Sequence, residues 1–238
     1  MYLLTRPRPK LSASCEQFKS HGIRVTGIAT VDIEVLALSS AHKHIISALN
    51  SNDWLIVTSV FAAKVLTESF SKQTVNARCA AIGSTTASLL LEHGFDVITP
   101  TEATSEGIMS MLTMNNAKNC HAVIIKGEGG RGYLADRLAK IGVDTHEMAV
   151  YRRIPLSPPE ESNQWQWTDV KGIITTSVEM ATPLFTHYAS DKLTSVPWLT
   201  VSQRIADTLR AYGVKSVGIA EGANDTALIK WVQENWES

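Results

Sequence analysis

The sequence predicts an α/β protein made of two similar domains, each a doubly wound parallel sheet. Three observations carry that prediction. Segments recur at an offset of 118–120 residues: Ile56-Val57-Thr58-Ser59-Val60 returns as Ile174-Thr175-Thr176-Ser177-Val178, and residues 86–94, ending on Gly94, return loosely as 205–213, ending on Gly213. Leu3-Leu4-Thr5-Arg6, with Gly22 sixteen residues past Arg6, echoes Ile124-Ile125-Lys126, with Gly142 sixteen past Lys126. A solenoid repeat runs to about 20–50 residues, so this period indicates duplicated domains, and two such domains facing each other would form a cleft. Second, short apolar runs alternate with helical periodicity. Third, Ser, Thr or Gly stands where most runs give way to a helix, which is the grammar of a parallel sheet.

The elements follow in chain order. Strands are expected over residues 2–5, 24–29, 54–58, 79–82, 96–99, 121–126, 144–149, 172–175, 198–201 and 216–220. Leu134, Leu138 and Ile141 keep helical spacing, and Gly142 is placed to end that helix. Leu90 with Gly94, and Leu209 with Gly213, repeat the device. Residues 30–36 read as a connector. Residues 156–168, rich in Pro, Ser, Glu and Gln, read as an exposed loop.

Composition narrows the function. Lys plus Arg total 22 and Asp plus Glu 23, so the net charge is −1 and no global basic field exists to attract nucleic acid. Cys15, Cys79 and Cys120 are odd in number and lack metal-ligand spacing, so the expectation is reduced thiols in a cytoplasmic protein. Cys15 and Cys120 read as small packed residues. No apolar run is long enough to span a bilayer, and the first ten residues lack the apolar core of a signal peptide. The seven histidines form no ligand set, and His42 and His44 read as surface residues. Met109, Met111 and Met114 read as core fillers, and Trp231 and Trp236 as core or edge anchors.

The densest motif is Lys126-Gly127-Glu128-Gly129-Gly130-Arg131-Gly132, set between a strand and a helix. Gly127, Gly129 and Gly132 satisfy G-x-G-x-x-G, and Glu147 lies twenty residues past Gly127, so a dinucleotide site is one reading. A ligand-free glycine turn is another. An ATP-type P-loop is excluded, because no Gly-Lys-Ser/Thr ends the motif.

A third reading uses the whole set of strand–helix junctions: Thr58-Ser59, Gly83-Ser84-Thr85-Thr86, Thr104-Ser105, Gly127–Gly130, Thr176-Ser177, Ser202 and Gly222-Ala223-Asn224. In parallel sheets these lie at the carboxyl edge, where ligands bind. Each offers free backbone N–H groups, a hydroxyl and a positive helix end. One helix terminus contributes about 0.3–1 kcal/mol toward an anion, up to about 2 when partly buried. Micromolar binding needs about 8 kcal/mol. Several termini must therefore act together, on a ligand with several carboxylates or phosphates. Ordinary N-capping explains any one of these hydroxyls equally well.

With these pieces placed, the chain resembles the uroporphyrinogen-III synthase family over nearly its whole length. The resemblance rests on Leu3-Leu4-Thr5-Arg6-Pro7, Trp54-Leu55-Ile56-Val57-Thr58-Ser59, Ala81-Ile82-Gly83-Ser84-Thr85-Thr86-Ala87 and Lys126-Gly127-Glu128-Gly129-Gly130-Arg131. Val150-Tyr151-Arg152-Arg153, Thr175-Thr176-Ser177 and Val201-Ser202-Gln203-Arg204-Ile205-Ala206 complete it.

The resemblance implies an interleaved fold. Residues 1–32 would join 155–238 in one domain, residues 37–149 would form an inserted second domain, and strands at 31–36 and 150–154 would be the hinge. It implies a monomer that uses no cofactor and no metal. The substrate would be a linear, polycarboxylate tetrapyrrole, hydroxymethylbilane, closed to uroporphyrinogen III with inversion of the last pyrrole and loss of water. The terminal hydroxyl would leave, an azafulvenium cation would form, and attack at the substituted carbon of the last ring would give a spiro intermediate that fragments and recloses. Tyr151 matches the family's tyrosine and is the candidate proton donor to the leaving hydroxyl, a phenol with an ordinary pKa of about 10 being protonated at neutral pH. Packing of the hinge is the plain alternative for Tyr151. The candidate substrate contacts are Thr58, Ser59, Gly83, Ser84, Thr86, Lys126, Gly127, Gly129, Gly130, Arg131, Thr176, Ser177, Ser202 and Arg204. The rival functions are a nucleotide-cofactor oxidoreductase using the glycine loop and a tetrapyrrole-binding protein without catalysis.

Overall fold

The computed structural model describes residues 1–237 apart from 116 and 131. The chain runs β1 (Tyr2–Thr5), α1 (Arg8–Ser20), β2 (Val25–Val35), α2 (Ser40–Ala48), β3 (Trp54–Val57), α3 (Val60–Ser69), β4 (Arg78–Ala81), α4 (Ser84–Glu92), β5 (Val97–Ile98) and α5 (Ser105–Met114). It continues through β6 (His121–Gly127), α6 (Tyr133–Lys140), β7 (Asp144–Glu161), β8 (Gly172–Ile174), α7 (Val178–His187), α8 (Ser190–Ser195), β9 (Trp198–Thr200), α9 (Gln203–Ala211), β10 (Val217–Ile219) and α10 (Asp225–Asn235).

Two compact units emerge. Unit 1 holds Met1–Ile33 and the chain from Ile154 onward; unit 2 is Glu34–Arg153. Strands in unit 2 are ordered β5-β4-β3-β6-β7, and those in unit 1 β10-β9-β8-β1-β2. Within each unit the neighbouring strands pair in parallel. Matching β3 to β8 and β6 to β1 makes the two orders identical, with a reversal of strand order between that pair in each unit. This is the doubly wound arrangement the sequence predicts, and the reversal is where such sheets bind ligands. Unit 1 is assembled in permuted chain order, because its last two strands, β1 and β2, come from the N-terminal end.

The helix ends show why the repeat is visible in sequence. Gly22, Gly94, Gly142 and Gly213 all have φ between +77° and +95°. After each, the next residue's N–H reaches back to close the helix: Ile23 to Phe18 O, Phe95 to Leu90 O and Val143 to Leu138 O, each at 3.1 Å, and Val214 to Leu209 O also at 3.1 Å. Each pair is apolar and buried, so one turn both ends the helix and seals the core.

One expectation fails. The loop expected over 156–168 is strand as far as Glu161, through Pro155, Pro158 and Pro159. In unit 1 this half of β7 lies at the sheet edge beside β2, where a missing N–H costs little. Ser162 N donates to Gly27 O at 2.9 Å and Gly27 N to Ser162 Oγ at 2.9 Å, continuing the attachment. The connector expected at 30–36 is strand, the second half of β2 as far as Val35, and the division between the two units falls within it, after Ile33.

Side-chain roles shift in three places. Met114 is exposed at the end of α5, whereas Met109 and Met111 pack against the unit 2 core. His42 is half-buried, because it shares a face of α2 with the buried Ile46. Cys15 is only half-buried, while Cys79 and Cys120 are buried. Trp236 does act as an anchor, stacking on Tyr2 with ring centroids 5.0 Å apart.

Candidate functional site

In unit 2 the strand-order reversal between β3 and β6 opens a cavity of about 210 Å³. Thr58 and Ser59 enter it from the end of β3, Lys126, Gly127, Gly129 and Gly130 from β6 and the turn after it, and Tyr151 from β7. The Thr58 hydroxyl donates to Ile125 O at 3.1 Å, which leaves its lone pairs free. The Ser59 hydroxyl accepts from Ala62 N at 3.1 Å, capping α3 and keeping its own proton to donate. Lys126 Nζ lies 2.9 Å from Glu147 Oε1 on the cavity wall.

Tyr151 is buried at 3% exposure yet lines the cavity. Three neighbours fix its ring. Phe61 packs at 5.5 Å with a 56° tilt, Arg153 stands over it at 5.7 Å, and Gly127 lies so close that a Cβ there would meet ring atoms at 2.6–2.8 Å. Glu128 N donates to Tyr151 O at 2.7 Å, tying the glycine turn to β7. Gly129 and Gly130 then adopt φ of +75° and +83°.

This packing argues against the dinucleotide reading. The glycine that should admit a pyrophosphate is covered by the Tyr151 ring. The acid that should bind a ribose is paired with Lys126.

The remaining candidates are scattered along the same carboxyl edges. In unit 2, Gly83 is the N-cap residue of α4 and Ser84 is exposed, but neither lines the cavity; Thr86 is 4% exposed and points to the core side of α4 with Ala87 and Leu90. In unit 1, Ser177 caps α7 through Met180 N at 3.2 Å and Ser202 caps α9 through Ile205 N at 3.4 Å. Thr176 is half-buried at the end of β8, and Arg204 is exposed on the first turn of α9. Arg131 lies outside the described residues.

Sequence reasoning missed four participants. Phe61 flanks the cavity with no distinguishing pattern of its own, while Ser105 and Arg153, which line it, stood in quoted motifs without being named as contacts. Arg6 belonged to a quoted motif, but its partner Asp225 carries no sequence signal.

Other sites fit less well. Hollows of about 560 and 580 Å³ lie toward the amino ends of the strands, beside Met1 and Arg24 in unit 1 and beside Trp54 and Arg78 in unit 2. Ligands of parallel sheets bind at the opposite edge, so the smaller cavity is the better candidate. The thiols are poor nucleophiles: burial pushes Cys79 up to about 12 and raises Cys15 and Cys120 as well. Among the described residues no three His, Cys, Asp or Glu side chains could hold a metal ion together, and no helix is long and apolar enough to cross a membrane.

Doubly wound units with hydroxyls, helix N-termini and a lysine gathered at a strand-order reversal define an α/β protein suited to small anionic groups. The family model of uroporphyrinogen-III synthase HemD matches residues 12–230. A uroporphyrinogen-III synthase of Salmonella typhimurium is 26% identical over 97% of this chain and 99% of its own length. The Escherichia coli uroporphyrinogen-III synthase is 30% identical over 64% of this chain and 65% of its own. A solved mutant uroporphyrinogen III synthase from Thermus thermophilus superposes over 100% of both chains with a TM-score of 0.63 at 15% identity, a likeness of fold. The chain belongs to the uroporphyrinogen-III synthase family, which places it among the enzymes of tetrapyrrole synthesis.

Proposed function

We propose that this protein is a lyase that closes hydroxymethylbilane to uroporphyrinogen III, inverting the last pyrrole and releasing water. The family match across residues 12–230 carries the proposal. The unit 2 cavity supports it on physical grounds. Its volume of about 210 Å³ is below the roughly 300–1,000 Å³ of a whole-ligand pocket, so it suits one acetate or propionate arm rather than a tetrapyrrole. Lys126, the Ser59 hydroxyl and the N-terminus of α3 are the groups to receive that carboxylate.

Tyr151 is the proposed proton donor. The phenol gives its proton to the departing hydroxyl, which leaves as water, and the azafulvenium cation remains. Its ring is held by Phe61, Arg153 and Gly127, so the hydroxyl is presented in one orientation. Positioning then decides which carbon of the last ring attacks. The thiols, whose pKa values burial raises, leave no competing nucleophile among the cysteines.

Consumption of freshly prepared hydroxymethylbilane, above its spontaneous cyclisation, tests the activity. Tyr151→Phe, which keeps the ring and removes the proton, tests the assignment. We expect kcat to fall by about 10²–10⁴ with little change in KM. Full turnover by Tyr151→Phe would remove the acid role and leave Tyr151 as a packing residue.

A further inference from the structure

Unit 1 has its own strand-order reversal, between β8 and β1, and the side chains there are arranged differently from those of unit 2. The topological counterparts are Arg6 for Lys126 and Thr176 for Thr58. Lys126 lines an open cavity; Arg6 is buried at 6% exposure and fills its corner. Its Nη2 pairs with Asp225 Oδ1, and its Nη1 donates to Thr176 Oγ1 at 3.1 Å. The second oxygen of Asp225 accepts from Ser14 Oγ at 2.8 Å, so the carboxylate is fixed from both sides.

We propose that Arg6, locked by Asp225, is a positioning residue that holds Thr176 as an oriented hydrogen-bond donor to a carboxylate of the substrate. The inference rests on the function proposed above. A guanidinium can only donate, so Thr176 Oγ1 must accept from it, and the hydroxyl proton is directed away from Arg6. Among the described residues that proton meets no acceptor. Of the neighbouring hydroxyls, Thr175 is committed, donating to Ser177 O at 3.1 Å, while Ser177 accepts from Met180 N to cap α7 and, like Ser59, keeps its own proton. At the matching place in unit 2 the choice is reversed, because Thr58 spends its proton on Ile125 O. Asp225 neutralises the guanidinium, so Arg6 offers the ligand no net charge and acts through Thr176. A buried ion pair is weak ground for stability by itself, and its place at the ligand edge suits an orienting role.

Steady-state kinetics with hydroxymethylbilane, scored as type III product, test this. We expect Thr176→Val to raise KM about tenfold, as loss of a hydrogen bond to a charged group does, while Thr176→Ser stays near wild type. Arg6→Gln raises KM similarly, and the double variant Arg6→Gln/Thr176→Val is no worse in KM than the weaker single variant. Should Arg6→Gln fail to fold, Asp225→Asn releases the guanidinium with the shape retained and gives the same KM rise. An unchanged KM in Thr176→Val, or multiplied losses in the double variant, overturns the inference while the proposed reaction stands. A wild-type protein that makes no type III product overturns the reaction, and the inference with it.

Discussion

Gly127 and Tyr151 must be read as one unit. The glycine leaves room for the ring, and the ring covers the glycine, which is why a fingerprint-like motif here is not a phosphate cradle. We expect Gly127→Ala to reduce turnover at least as much as Tyr151→Phe, because a Cβ at 2.6 Å from the ring forces Tyr151 aside. Turnover equal to wild type in that variant would show that the ring position is not needed. Glu147 pairs with Lys126 on the cavity wall and would compete with the carboxylate proposed to bind there. Glu147→Gln is therefore expected to lower KM, and Lys126→Met to raise it; opposite shifts would place the ligand elsewhere. Lys126 and Tyr151 were legible from their motifs. Glu147 was visible only as the acid of a nucleotide fingerprint, since no sequence rule says which cation a carboxylate will meet. Thr86 looked like its neighbours in sequence, but its place on α4 turns it toward the core.

Helix ends and strand ends divide by how local their causes are. Gly142 and Gly213 end α6 and α9 with φ of +81° and +95°, a conformation that costs other residues about 1–2 kcal/mol. Gly142→Ala and Gly213→Ala should each lower unfolding free energy by about that amount in urea titration. Ser59→Ala should cost about 1 kcal/mol through loss of the α3 cap alone, before any effect on ligand. These devices act within one turn of chain and were readable from Ser and Gly positions. The length of β7 was not. Pro155, Pro158 and Pro159 signal a break in a central strand, and only the sheet order, a long-range property, shows that this stretch needs pairing on one side.

At the scale of the molecule, the repeat was legible because both copies reuse the same glycine-ended helices and hydroxyl-ended strands. Its permuted assembly was not legible in the periodicity, which reports likeness and not which segments pair, and was expected only from the family resemblance. The chain ends are tied together inside unit 1. Tyr2 donates to Glu237 Oε1 at 2.6 Å, a bond that holds the Glu237 carboxyl below the usual range; burial and the same bond push the Tyr2 phenol up. A carboxylate depressed in the folded state stabilises it above the unfolded pKa, and the contribution is lost as pH falls through the folded value. The stability difference between wild type and Glu237→Gln should thus be present near neutral pH and shrink as pH drops below about 4. Its size is modest because Glu237 is exposed to solvent, which screens the interaction. A difference that grows on acidification would contradict the assignment.

The most direct measurement of what this fold does is the isomer composition of its product. Hydroxymethylbilane supplied to the purified protein, followed by oxidation and chromatographic separation, distinguishes closure with inversion from simple head-to-tail closure. We expect a protein-dependent excess of the type III isomer, removed by heat denaturation. Type I product alone, formed at the spontaneous rate in the presence of folded protein, would contradict the proposed reaction.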